Sequence, residues 1–213
     1  MDMTVQSTGT TTLGFKWKDG VIVATDRRAT MDTMISSKNT TKLHRISDHI
    51  VATIAGGLGD SQHVVRVLQA ESNIFRFKNG YEISVSGIST LLANMLNQTK
   101  FYPEYTFPIV AGVDRLGSHV FSVDPAGGAE EDDFISVGSG SPYVYGVMED
   151  RYRETNISRD EGFELGVRAL CAALKRDAAT GNGIDIVSVS QKEFYKWSDK
   201  EVNKLASKYG VNF

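Results

Sequence analysis

The chain has 213 residues, enough for one domain with a sizeable buried core. Its net charge of −3 lacks the basic excess typical of nucleic-acid binding, so no nucleic-acid partner is expected. No apolar run approaches the length of a membrane span, and residues 1–9 are too polar for a secretory signal, so no membrane partner is expected either. The single cysteine, Cys171, permits no disulfide within the chain and fits a reducing compartment, so a cytoplasmic location is expected.

Residues 1–9 show no periodicity and indicate a removable leader, followed by one folded domain over residues 10–213. Apolar periodicity and turn residues then predict, in chain order, a β-hairpin turning at Lys18-Asp19-Gly20, a strand over His49–Ala55, a helix capped by Asp60 or Ser61, a helix over Val85–Phe101, and strands Phe107–Val113 and Ser118–Val123. The second half predicts a strand over Phe134–Val137, a short helix near Pro142–Glu149, a helix opened by the capping box Ser158/Glu161, strands Ile184–Val189 and Phe194–Trp197, and a last helix opened by Ser198/Glu201.

The order of these elements indicates the fold class. Strands and helices come in blocks, and the strands are joined by hairpin turns. That order favours an α+β fold with helices layered on antiparallel sheets over a parallel sheet of βαβ units.

Most familiar catalytic and binding motifs are missing from the sequence. The histidines show no metal-ligand spacing, Cys171 lies in an apolar helical stripe, and no G-x-S-x-G motif occurs, so no metal site is expected. Gly138-Ser139-Gly140-Ser141 resembles a phosphate loop, but it lacks the following lysine. A tight turn that presents hydroxyl groups is the favoured interpretation.

The Gly9-Thr10 pair suggests a different chemistry, with a threonine hydroxyl as the nucleophile. A threonine hydroxyl needs an adjacent base, and the residue's own α-amine can serve when that residue is first in its chain. An α-amine titrates near ~7.7–8.0, so much of it is neutral at cytoplasmic pH. Gly9 offers an unhindered carbonyl for cleavage. The alternative interpretation is a β-prone strand with a frayed end.

Several stretches together resemble proteasome β subunits, most closely the archaeal type, over nearly the whole chain. They are Gly9–Gly14, Gly20–Thr30, Ser37–Lys42, Ala55–Asp60, Leu91–Asn97, Gly138–Ser141, Tyr145–Val147 and Lys175–Asp177. The resemblance implies a four-layer α/β/β/α sandwich of the N-terminal nucleophile hydrolase type, and a threonine endopeptidase that needs no cofactor. It also implies a heptameric β ring between α-subunit rings, a regulatory ATPase that acts through the α ring, and unfolded polypeptides as substrates.

The resemblance also assigns roles to residues. Thr10 matches the nucleophile exposed by autocatalytic cleavage at Gly9–Thr10, Asp26 and Lys42 match its catalytic partners, and Gly56 matches the residue whose N–H lies at the oxyanion site. The groups that hold the terminal amine correspond to Ser139, Asp177 and Thr180. Thr180 stands where the family usually has serine, and its retained hydroxyl is expected to keep the hydrogen bond.

The substrate-binding positions implied by the resemblance are Ala29, Thr40, Lys42, Ile54 and Leu58 for the primary pocket, and Thr30 for pairing with the substrate strand. Ala29, Ile54 and Leu58 are apolar, which predicts cleavage after large hydrophobic residues. Two rival functions remain open: a non-catalytic ring subunit, and another N-terminal nucleophile hydrolase acting on a small amide.

Overall fold

The computed structural model describes residues 9–31, 33–56, 58–101, 106–152 and 156–213, with only the backbone described for 58–60. Residues 1–8 of the predicted leader lie outside this range. One sheet has the strand order β10-β1-β2-β11-β12, and a second has the order β5-β6-β7-β8-β9. The first sheet comprises β1 (Thr11–Trp17), β2 (Gly20–Asp26), β10 (Phe134–Gly138), β11 (Ile184–Ser190) and β12 (Phe194–Lys196). The second comprises β5 (Leu43–Arg45), β6 (Ile50–Gly56), β7 (Thr106–Asp114), β8 (Gly117–Val123) and β9 (Ala129–Glu131).

The helices are α1 (Leu58–Asn79), α2 (Val85–Gln98), α3 (Ser141–Arg151), α4 (Arg159–Leu174) and α5 (Asp199–Lys208). Both capping boxes predicted from sequence are present, at Ser158/Glu161 and Ser198/Glu201. Among the described helices, none combines the length and the apolar character needed to cross a membrane.

The predicted four layers are confirmed by where the apolar side chains pack. In β2, Val21 and Val23 face the second sheet, whereas Ile22 and Ala24 pack against the layer formed by α3, α4 and α5. The helices α1 and α2 cover the outer face of the second sheet. Because a central strand buries both faces, each large apolar side chain contributes about 1.5–3 kcal/mol of burial. This double burial explains why β2 is apolar throughout instead of alternating.

Several predicted boundaries are wrong by a few residues. The helix α1 begins at Leu58, so Asp60 and Ser61 lie inside it and do not cap it. The helix α2 ends at Gln98 because the Thr99 N–H and hydroxyl both turn back to the Leu96 carbonyl, which stops the helix before Phe101. In the first hairpin Trp17 pairs with Gly20, so the loop has two residues and Gly20 already belongs to β2.

A separate two-stranded hairpin, β3 (Ala29–Met31) and β4 (Met34–Ser37), was missed from the sequence, as were β5 and β9. Each of these strands has three or four residues, and Thr30 is the only buried residue among them, so no apolar period marks any of the four. The omission matters because β3 carries two of the predicted substrate-binding residues, Ala29 and Thr30.

Candidate active site

Thr10 lies immediately before β1, at one end of the first sheet. In the antiparallel register Thr12 pairs with Thr25 and Thr11 pairs with Gly138, so the start of β1 meets the ends of β2 and β10. The topology therefore brings Thr11, the residue after Thr10, opposite Asp26, the last residue of β2. Thr10 is only 4% exposed while Gly9 remains attached.

A buried ion pair is the centre of the site. Lys42 Nζ donates to Asp26 Oδ1 at 2.6 Å, with the Lys42 side chain 4% exposed and Asp26 fully buried. The same Asp26 oxygen accepts the Thr11 N–H at 3.0 Å, which ties the pair to the residue next to Thr10. The other oxygen accepts the N–H groups of Arg28 and Gly181, each at 3.0 Å. These donors compensate the carboxylate for its loss of water.

The backbone of Lys42 is hydrogen-bonded to β6, and burial of its side chain changes its pKa. Its carbonyl accepts the Ile54 N–H of β6 at 3.0 Å. Burial lowers the pKa of Lys42 below its usual value, although attraction to Asp26 and to Asp177 opposes this effect. A lysine with a lowered pKa releases its proton more readily, which is the property needed in a general base.

A hydroxyl network around Asp177 lies close to the start of β1. Ser139 Oγ donates to Asp177 Oδ2 at 2.7 Å and lies 3.4 Å from the Thr10 carbonyl oxygen. Thr180 also donates its hydroxyl proton to Asp177 Oδ2, so the expected hydrogen bond is present with threonine at this position. Because that proton is committed, Thr11 is the donor in the 2.5 Å contact between Thr11 Oγ1 and Thr180 Oγ1.

The Gly138–Ser141 segment forms the close turn that its composition predicts. Gly138 has φ +105°, and a Cβ there would lie 1.9 Å from the Thr10 carbonyl oxygen. A Cβ on Gly140 would lie 2.1 Å from Thr11 Oγ1. Side chains at either position would displace the start of β1, so these glycines let the turn approach it closely.

The predicted cleavage site has a defined geometry. Thr10 Oγ1 donates a hydrogen bond to the Gly9 carbonyl oxygen at 2.7 Å. The Gly9 N–H donates to Thr30 Oγ1 on β3 at 2.9 Å. The candidate nucleophile therefore lies against the carbonyl group of the bond that it would cut.

The remaining predicted residues surround this centre to different degrees. Thr40 N–H donates to the Arg27 carbonyl at 2.9 Å, which closes the chain around the β3–β4 hairpin, and Ala29 opens that hairpin. Gly56 ends β6 with φ +137°, a conformation that favours glycine. Ile54 is buried in the core between the second sheet and its helices, and the side chain of Leu58 lies outside the described residues.

Sequence reasoning missed three contributors: Arg28, Gly181 and the side chain of Thr11. Arg28 donates to Asn182 Oδ1 at 2.8 Å and to the Ala178 carbonyl at 2.7 Å, so it fixes the loop that carries Asp177 and Thr180. Arg28 does lie within the quoted Gly20–Thr30 motif. Gly181 is separated from Asp26 by 155 positions, and no local signal marks such a contact.

Two facing antiparallel sheets between helical layers form the sandwich of the N-terminal nucleophile hydrolase class. At the start of the first strand, the N–H next to Thr10 binds a buried Lys–Asp pair. A family model described as "Proteasome subunit" matches residues 6–189. Proteasome subunit beta from Methanosphaerula palustris is 46% identical over 200 residues, covering 93% of this chain and 94% of that protein. The proteins of the same name from Methanocorpusculum labreanum and Methanohalophilus mahii are 50% identical over 188 residues and 43% identical over 206 residues, and they cover 88% and 96% of this chain.

The chain belongs to the proteasome subunit family. Its similarity to β subunits across almost its full length makes it a threonine peptidase.

Proposed function

We propose that the chain is a catalytic β subunit of a proteasome core that first cuts its own Gly9–Thr10 bond. One observation supports this most directly: Thr10 Oγ1 donates to the Gly9 carbonyl oxygen at 2.7 Å, and the N–H of the next residue, Thr11, binds the buried Lys42–Asp26 pair. Residues 1–9 are then a propeptide, and residues 10–213 form the mature domain.

The processing step is an acyl shift. Thr10 Oγ1 bonds to the Gly9 carbonyl carbon, the hydroxyl proton leaves, and the Gly9–Thr10 C–N bond breaks as the nitrogen takes up a proton. Water then hydrolyses the resulting ester to a Gly9 carboxylate and a free Thr10 hydroxyl. Because the Thr10 nitrogen is an amide before the cut, Lys42 is the proton acceptor in this step, and its lowered pKa suits that role.

Peptide hydrolysis repeats the same chemistry on another chain. Thr10 Oγ1 attacks the substrate carbonyl, the amine product leaves, and water hydrolyses the ester. Lys42 and Asp26 favour the developing alkoxide, and the Gly56 N–H stabilises the oxyanion. Ser139, Asp177 and Thr180 hold the newly formed α-amine, and the 3.4 Å approach of Ser139 to the Thr10 backbone supports this role.

The substrate lies extended along β3. Thr30 already holds the N–H of Gly9, which supports a role in aligning peptide backbones there. The primary pocket is proposed at Ala29, Thr40, Lys42, Ile54 and Leu58, of which Ala29, Ile54 and Leu58 are apolar. With no acidic side chain in this set, preferential cleavage after large hydrophobic residues follows. Fluorogenic peptides that end in tyrosine or leucine should be cut faster than those ending in glutamate or arginine, and the reverse order would contradict the pocket assignment.

We also propose assembly into a heptameric β ring within a 20S core whose outer rings are α subunits, with a regulatory ATPase acting through the α ring on unfolded polypeptides. The cytoplasm is the proposed location. The similarity to proteins named proteasome subunit beta supports assembly into such a core.

The decisive experiment measures the intact mass and peptidase activity of the chain assembled with α subunits. Wild type should begin at Thr10 and hydrolyse extended fluorogenic peptides. Thr10→Ala should retain residues 1–9 and be inactive, Thr10→Ser should retain both activities in part, and Thr99→Ala should behave as wild type. Unchanged peptidase activity in Thr10→Ala would favour the non-catalytic ring subunit, and turnover of small amides but not peptides would favour the other hydrolase.

A further inference from the structure

The residue before the scissile bond is enclosed on three sides. Its carbonyl oxygen accepts the Thr10 hydroxyl, its N–H binds Thr30, and its α-carbon faces Ala179. A Cβ added to Gly9 would lie 1.8 Å from Ala179 Cβ, 3.0 Å from Ala179 Cα and 3.1 Å from Thr30 Oγ1. Side chains do not tolerate the first of these distances, so an alanine at position 9 would displace either the loop or the scissile peptide.

Ala179 cannot retreat without disturbing the site. Its N–H donates to Asp177 Oδ1 at 3.2 Å, and the carbonyl of Ala178 accepts the Arg28 guanidinium at 2.7 Å. On the other side, Gly181 N–H is bound to Asp26 at 3.0 Å. The loop is thus fixed through the carboxylates Asp26 and Asp177, and its movement would loosen both.

We infer that Ala179 is a positioning residue for self-cleavage: its methyl group restricts position 9 to glycine and holds the Gly9 carbonyl against the Thr10 hydroxyl. The inference rests on the proposed processing of Gly9–Thr10 and adds a residue that neither the motifs nor the catalytic chemistry identifies. Displacement of reacting groups by fractions of an ångström is costly in such a step, because attack needs close and aligned atoms.

The test is a rescue experiment on the full chain assembled with α subunits, with the fraction beginning at Thr10 followed by intact mass over time. Gly9→Ala should be processed about 5- to 150-fold more slowly than wild type, the range expected from overpacking a rigid site. Gly9→Ala combined with Ala179→Gly should recover most of the rate. The recovery should be incomplete because the Ala179 Cα and Thr30 contacts, at 3.0 and 3.1 Å, remain.

The matched control is Ala178→Gly in the Gly9→Ala chain. It adds the same backbone freedom to the loop, but Ala178 is exposed and is not among the three atoms nearest to a Cβ at position 9. It should give no rescue. Ala179→Val in the wild-type background adds bulk on the Ala179 side of the same contact and should also slow processing.

Equal processing of Gly9→Ala and wild type would overturn the inference, as would equal rescue by Ala178→Gly and Ala179→Gly. Failure of the double variant, in particles that assemble normally by size-exclusion chromatography, would also overturn it. These outcomes differ from failure of the proposed function, in which the wild-type chain itself keeps residues 1–9 while active.

Discussion

Removing the Lys42 side chain should change two measurable properties, the free energy of unfolding and the rate of peptide hydrolysis. In Lys42→Ala, the fully buried Asp26 loses the ammonium 2.6 Å away but keeps three backbone N–H donors, from Thr11, Arg28 and Gly181. Breaking a buried ion pair by removing one partner costs about 3–5 kcal/mol. The remaining donors place the expected loss at the low end, about 3 kcal/mol.

The same variant should also lose activity. Without a proton acceptor and a cation beside the alkoxide, peptide hydrolysis should fall by about 10²–10⁴-fold, and processing at Gly9–Thr10 should fall with it. Urea unfolding of the chain, followed by the fluorescence of Trp17 and Trp197, measures stability, and a fluorogenic peptide measures activity in the assembled particle.

Two controls make the result diagnostic. Lys16→Ala removes a lysine of the same type from partly exposed pairs with Glu131 and Asp133, which should cost only about 0–1 kcal/mol. Adding Asp26→Asn to Lys42→Ala removes the orphaned charge, so stability should recover in part while activity stays lost. The recovery should be incomplete because both Asp26 oxygens accept backbone N–H groups, and an asparagine offers only one acceptor oxygen. The reasoning fails if Lys42→Ala is as stable as Lys16→Ala, or if the double variant regains hydrolysis.

Three further predictions follow from individual groups. Burial would raise the pKa of Asp185, but hydrogen bonds from Arg27 and Lys196 outweigh this effect, so the pKa of Asp185 is lowered. The stabilisation that ionised Asp185 gives the fold is present above pH ~4 and should be lost as the pH falls below that value. Asp185→Asn should therefore flatten this part of an acid-unfolding curve. Gly56→Ala places a Cβ at φ +137°, which should cost about 1–3 kcal/mol and depress peptide turnover. Burial raises the pKa of Cys171 to about 11, so the native protein should resist iodoacetamide at pH 8, whereas the urea-unfolded protein should react fully by mass spectrometry.

The sequence could predict those parts of the fold that are encoded locally. The capping boxes at Ser158 and Ser198 and the apolar run of β2 each carry their signal within a few residues, and each was found. The β3–β4 hairpin carries no such signal, because its strands are short, bury only Thr30, and owe their conformation to pairing with each other. The end of α2 depends on the two hydrogen bonds from Thr99 to the Leu96 carbonyl, which the apolar pattern does not predict.

The candidate site divides in the same way. Thr10, Asp26 and Lys42 could be named from motifs, but the motifs do not specify that Asp26 also binds Gly181 across the fold. Nor do they reveal the contact of Gly9 with Ala179, because it depends on how a loop 170 positions away approaches the start of β1. Such contacts are set by tertiary packing, which brings together segments that are far apart in the sequence.

The geometry of the site depends on strand register, which gives the packed core a direct role in catalysis. The Thr11 N–H reaches Asp26 because Thr12 pairs with Thr25, so β1 and β2 must align at that residue. A slip of one residue would turn the buried side chains of β1 to the opposite face, at the cost of the core that Leu13 and Phe15 form with the helices. Apolar burial far from Thr10 therefore excludes the misaligned states in which Asp26 and Lys42 would miss the nucleophile. A core substitution such as Phe15→Ala should consequently impair processing through loss of alignment as well as through loss of stability.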